Sequence, residues 1–244
     1  AGLGIPKGGN FQVFAPNQNE NVYTKDWTGP FYGFERAIET YELTDKPYRF
    51  KPIDIYYHSY IVSKTASLNS LHKVYQWALK QPVFPVYSSE YIKKVLDFND
   101  FVIARTPEGY RFRGNSDLKT VRWTDESSSI NFTDSPQVAG FNRYNAQNYV
   151  HLLDSNADLV TQPTNTTLPY IESTNARISR FVRSKNTLDL SLTGYQPISI
   201  TFANASKCQL IQGSKTLATT RQGSRLLLEV NAHELTALRL SCRP

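Results

Sequence analysis

Residues 100–242 form a succession of short segments in which apolar and polar residues alternate, each closed by turn chemistry. A period of two puts every second side chain on one face, which a strand can bury and a helix cannot. Residues 101–105 and 110–113 flank Pro107-Glu108-Gly109 as a hairpin. Further strands are expected over 119–123, 148–153, 176–183, 187–192, 197–202, 207–212, 216–220, 225–230 and 235–242. Gly194, Gly213-Ser214 and Gln222-Gly223-Ser224 punctuate them at short intervals. The pattern predicts an all-β sandwich over residues 100–244, with the Asn- and Thr-rich stretch 155–169 as a long loop.

Before Asp100 the pattern differs. Gly2, Gly4, Gly8, Gly9 and Pro6 make the first ten residues read as a loop, followed by a short alternating strand over 11–14. Residues 35–43 suit a short helix. Lys51-Pro52-Ile53-Asp54-Ile55-Tyr56-Tyr57-His58-Ser59-Tyr60 has the alternation of a buried strand, ending at one of only four histidines. Ser67 suits a helix N-cap, and Leu68, Leu71, Val74, Tyr75, Ala78 and Leu79 then follow helical spacing. A second strand over 83–87 precedes a second helix, capped by Ser88 or Ser89 and carrying Tyr91, Ile92, Val95, Leu96 and Phe98. Strand, helix, strand, helix is the order of parallel βα units. Right-handed crossovers would put His58 and the Tyr87-Ser88-Ser89-Glu90 loop on one face of a parallel sheet. The boundary between residues 1–99 and 100–244 follows from this change of pattern.

Composition narrows the function. With 40% apolar and 13% aromatic residues the chain can bury a core. No apolar run reaches membrane-spanning length, and a chain opening on Ala1 is expected to be a processed or excised piece. The net charge of +6 is dispersed, and its densest run, Arg177, Arg180, Arg183 and Lys185, reads as a solvated face. Without a nucleic-acid-binding motif, no nucleic-acid partner is expected. Cys208 and Cys242 have no metal-ligand spacing. If the last four strands form a meander, both lie at one end of the layer, where a disulfide is possible. Two buried thiols are the alternative.

Candidate chemistry is sparse. There is no G-x-S-x-G, no H-E-x-x-H and no Gly-rich phosphate loop. His72, His151 and His233 have no His or Asp at ligand spacing. His58 remains, either a structural histidine at a strand end or, held protonated by a carboxylate, a general acid. Trp27-Thr28-Gly29-Pro30-Phe31-Tyr32-Gly33-Phe34 is an aromatic loop suited to pyranose C–H faces, or an aromatic plug for a core.

Residues 20–34 and 51–60, with Ala66-Ser67-Leu68 and Ser89-Glu90-Tyr91-Ile92-Lys93-Lys94-Val95-Leu96-Asp97-Phe98, resemble the C-terminal half of PelA-type proteins. These are exopolysaccharide-modifying members of the polysaccharide-deacetylase group. The resemblance implies an α/β plus all-β chain: the closing βα units of a distorted (β/α) deacetylase barrel over 1–99, then a β-sandwich. It implies a bacterial periplasmic N-deacetylase in the parent protein, acting on an N-acetylhexosamine polysaccharide beside other exopolysaccharide-synthesis proteins. His58 would be the general acid, and Trp27, Tyr57, Phe31 and Tyr32 would bind substrate. Asp26 would orient the base, although Tyr23 stands where a partnering aspartate is expected. A zinc-type divalent metal would be held by ligands outside this chain, leaving the chain inactive alone.

Two other readings compete. In one the chain is a non-catalytic glycan-binding or docking module with Trp27, Phe31, Tyr32 and Phe34 as its platform. In the other the sandwich buttresses the barrel, with Arg180 and Arg183 on its outer face against a partner protein.

Overall fold

The computed structural model describes residues 3–14, 34–45, 52–123, 128–144 and 147–243. The chain divides into two compact units, Ala1–Val83 and Phe84–Pro244.

In the first unit β1 (Leu3–Lys7) and β2 (Asn10–Phe14) pair antiparallel. Gly8 and Gly9 between them have φ of 55° and 79°, the left-handed pair that a two-residue hairpin turn requires. The stretch expected as a loop is therefore a hairpin. A 3-10 turn, Phe34–Arg36, leads into α1 (Ala37–Leu43), and α2 (Thr65–Leu79) follows. Phe34, Ala37 and Tyr41 meet Leu71 and Val74 in a small helical core, with Tyr41 stacked on Trp77 at 5.6 Å between centroids.

Ile53 and Ile55 pack on that core, but residues 52–58 form no strand. Their alternation reports two side chains buried against helices, not a sheet ladder. Residues 83–87 likewise run without strand pairing. Every strand pair among the described residues is antiparallel. The closing βα units expected of a (β/α) barrel are therefore not found among the described residues, and the resemblance to polysaccharide deacetylases, which depended on them, is overturned.

The second unit opens with α3 (Ser88–Asp100). Then come β3 (Val102–Thr106), β4 (Gly109–Arg113), β5 (Thr120–Trp123), β6 (Ser129–Ile130), β7 (Val138–Tyr144), β8 (Gln147–Leu152) and β9 (Ala157–Gln162). The next five are β10 (Tyr170–Thr174), β11 (Arg177–Arg183), β12 (Thr187–Thr193), β13 (Ile198–Ala203) and β14 (Cys208–Gln212). The last are β15 (Lys215–Thr216), β16 (Thr220–Gln222), β17 (Arg225–Val230) and β18 (Glu234–Cys242).

These strands make four sheets: β3-β4-β9-β6, β5-β8-β7, β10-β13-β17-β16 and β11-β12-β18-β14-β15. Four sheets is the count of a four-bladed β-propeller. Unlike consecutive propeller meanders, these strands interleave along the chain, and the sheets share two cores. Phe112, Trp123, Ile130, Val150, Leu152 and Leu159 join the first two sheets. Leu188, Leu190, Leu192, Ile200, Phe202 and Leu240 join the other two. A leucine buried in this way stabilises by about 2 kcal/mol relative to exposure. The single sandwich expected over 100–244 is thus corrected to four sheets around two cores.

Two local features explain the departure. The expected loop 155–169 contains β9, whose buried Ala157 and Leu159 alternate too briefly to stand out from their polar neighbours. At Gly140 of β7 an added Cβ would fall 1.9 Å from the Ile171 carbonyl oxygen of β10. Only glycine lets the two sheet pairs approach there.

Candidate binding site

The residues singled out in the sequence scatter. Asp26, Trp27, Phe31 and Tyr32 lie outside the described residues. Phe34 is completely buried in the helical core, so it is a plug and not part of an exposed platform. His58 is exposed, in extended backbone ahead of the 3-10 turn Ser59–Ser63. Its Nε2 lies 3.2 Å from the Tyr56 hydroxyl. Tyr57, half-exposed, meets Tyr75 edge-on at 6.4 Å between centroids. Burial first, then Tyr57, raises the Tyr75 hydroxyl above its usual range, keeping it protonated at neutral pH. Tyr56, Tyr57, Tyr75 and His58 thus make a tyrosine-rich surface of the first unit. With the barrel gone, the general-acid role implied for His58 falls too.

A better-formed site lies within the second unit. Phe84, Pro85, Arg177, Thr193, Gly194 and Tyr195 line a notch of about 90 Å³, room for about three waters at ~30 Å³ each. Such a notch takes the edge of a ligand whose remainder lies across the surface. Tyr87 borders it, 64% exposed, with its ring edge-on to Tyr195 at 4.8 Å between centroids and 67° between planes. Phe84 and Tyr195 are also exposed. Large rings held in solvent by neighbouring structure offer an exposed apolar surface.

Glu90 organises the polar half. It stands in the first turn of α3, whose N-cap is Tyr87, not Ser88 or Ser89. Its Oε2 accepts the Tyr87 amide at 3.0 Å and the Tyr195 hydroxyl at 3.4 Å, while Oε1 takes Arg177 Nη2. Burial pushes this carboxyl up, but the Tyr87 amide, Arg177 and Tyr195 together hold it below the usual carboxylate range. Burial, then the charge of Glu90, raises the Tyr195 hydroxyl, which stays a donor.

Asp97 sets α3 against the β-strands. It is buried, and its carboxylate accepts the amides of Asn115 at 2.6 Å, Asp117 at 3.0 Å and Leu118 at 2.7 Å. Glu90, Lys94 and Asp97 recur at helical spacing, so one face of α3 carries the notch-side carboxylate, a cation and the anchor. The spacing is visible in the sequence, but the partners it meets, 18 to 105 residues away, are not.

Elsewhere the chemistry is structural. Among the described residues no three His, Cys, Asp or Glu side chains gather as metal ligands. Cys208 opens β14, Cys242 ends β18, and the two face each other in register, joined as a disulfide. Arg183 is turned inward, not out toward a partner: a bulge between Ile178 and Arg180 shifts the face of β11. Ile178 and Phe181 then both pack on the core, and Arg183 follows on that side. Among the described residues no helix is long and apolar enough to cross a membrane.

Antiparallel sheets carrying an exposed aromatic notch over an ion pair fit a non-catalytic binding module better than a deacetylase. Comparison with protein-family models, with curated proteins and with solved structures found no match.

Proposed function

We propose that this chain is a non-catalytic binding module whose second unit takes a saccharide at the Phe84–Tyr87–Tyr195 notch. The observation that carries the reading is the exposed, edge-to-face pair of Tyr87 and Tyr195 above the Glu90–Arg177 ion pair. Pyranose rings offer an apolar C–H face to such rings and hydroxyls to such charges, so one small site meets both halves of a sugar. The work of the site is retention of a polymer by several weak contacts. A periplasmic or other oxidising location accords with the Cys208–Cys242 disulfide, which a reducing compartment would not maintain.

The test is titration of the full chain with neutral hexose oligomers, N-acetylhexosamine oligomers and oligouronates, followed by amide chemical shifts. Saturable shifts clustered around Tyr87, Glu90 and Tyr195, lost in Tyr87→Ala, are expected for at least one class. If all three classes leave those amides unmoved at millimolar concentration, the reading is wrong.

A further inference from the structure

We infer that the saccharide taken at this notch is acidic, its carboxylate seated on the Arg177 guanidinium. The inference rests on the binding reading above and names the ligand class for the same site.

The reason lies in which polar groups are spent. Both oxygens of Glu90 are engaged, by the Tyr87 amide and the Tyr195 hydroxyl on one and by Arg177 on the other. Glu90 therefore has little capacity left for a ligand's hydroxyl or ammonium group. Arg177 uses only Nη2 on it, its side chain is 53% exposed, and it lines the notch. A guanidinium held through one edge presents its other N–H groups as a fork, and a carboxylate fits a fork with two parallel hydrogen bonds.

Cations and carboxylates both surround the fork. Lys94 lies one turn along α3 from Glu90, and its ammonium donates to the Asp117 carbonyl at 2.8 Å. Burial, followed by repulsion from Arg177 and Lys119, lowers the pKa of Lys94, so these three cations share one electrostatic neighbourhood. Glu90, Asp117, Asp97 and Asp154 lie in the same neighbourhood, so the preference for an anion rests on the unspent N–H groups of Arg177 and not on a net charge. An acidic sugar supplies a carboxylate for the Arg177 fork and still presents a C–H face to Tyr87. An amino sugar would bring like charge to the fork.

The experiment compares a galacturonic acid tetramer with its methyl ester by calorimetry on the full chain at low salt. The acid is expected to bind about tenfold tighter than the ester. Arg177→Gln should bring the two to parity, Arg177→Lys should retain part of the preference, and Tyr87→Ala should weaken both. Thermal midpoints of the variants separate lost binding from lost folding, and Arg177→Lys keeps the test open if Arg177→Gln unfolds. Equal affinity of the unmodified chain for acid and ester overturns the acidic class while leaving the saccharide reading standing. Binding of neither overturns the acidic class, and the saccharide reading falls with it only if neutral hexose and N-acetylhexosamine oligomers also leave the site unmoved.

Discussion

The guanidinium carbon of Arg183 lies 4.2 Å from the centroid of the Phe132 ring. Arg183 belongs to the last sheet of the chain, whereas Phe132 belongs to the core of the first two. The same guanidinium donates to the carbonyls of Ala139 at 3.1 Å, Val138 at 3.4 Å and Pro169. Around it Phe132, Phe141 and Tyr170 pack ring against ring, with Phe141 and Tyr170 stacked at 4.7 Å. Burial pushes the guanidinium down to about 10, so it remains cationic at neutral pH. One cation thus ties the two sheet pairs together through carbonyl oxygens and an aromatic face.

Arg183→Ala should cost about 3 kcal/mol, because it leaves carbonyls unpaired and removes the cation from the ring. Arg183→Lys keeps the charge but not the fork, and should lose roughly half as much. Urea unfolding measures both. A lysine variant as stable as the unmodified chain would show that the fork is unimportant.

Asp97→Ala should cost about 2–3 kcal/mol, since three backbone amides lose a charged acceptor. Hydrogen exchange gives a local readout: the amides of Asn115, Asp117 and Leu118 should lose protection first. Because α3 carries Tyr87 and Glu90, sugar binding should weaken in parallel. Unchanged exchange at these amides would remove Asp97 from this role.

His151 supplies a pH dependence. Burial first, then Lys119 and Lys94, lowers its pKa from 6.5 to about 4, and its Nδ1 lies 3.1 Å from the Thr120 hydroxyl. The unfolded chain therefore binds more protons between these values, and stability falls as pH drops from about 6.5 toward 4. Full burial would make the loss about 3 kcal/mol, and partial exposure reduces it to on the order of 2 kcal/mol. His151→Gln should flatten this part of the profile. An imidazole titrating near 6.5 in the folded chain would refute the account.

The disulfide closes a loop with a sequence separation of 34. Chain entropy alone assigns it about 4 kcal/mol, corresponding to a fall in Tm of about 10 °C on removal. The paired variant Cys208→Ala with Cys242→Ala should show that fall, and reducing agent should have no further effect on it. A melting curve identical to that of the oxidised chain would contradict the assignment.

Much of the strand content was legible in the sequence. β11, β12, β13, β17 and β18 follow the alternation of apolar residues, because each buries one face against a facing sheet. Helices α2 and α3 follow their 3.6-residue spacing, although α2 begins at Thr65 after an N-cap at Lys64, with the expected cap Ser67 buried inside it. The candidate site was only half visible. The loop containing Tyr87 and Glu90 stood out, but for its place after a supposed barrel strand. Tyr195, next to the turn glycine Gly194, carried no signal of its own, and Arg177 read as part of a solvated face.

What the sequence determined by itself was periodicity: which side chains need a buried face and where the chain must turn. What only the tertiary structure decided was the partner of each face. Ile53 and Ile55 alternate as a strand does, yet helices cover them, because burial of alternate residues carries no information about hydrogen-bond pairing. The bulge in β11 shifted the facing of everything after it, turning Arg183 from an expected outer surface onto the Phe132 ring. Tyr87 and Tyr195, 108 residues apart in the numbering, meet because the N-terminus of α3, a helix that Asp97 ties to residues 115–118, stands against the turn after β12.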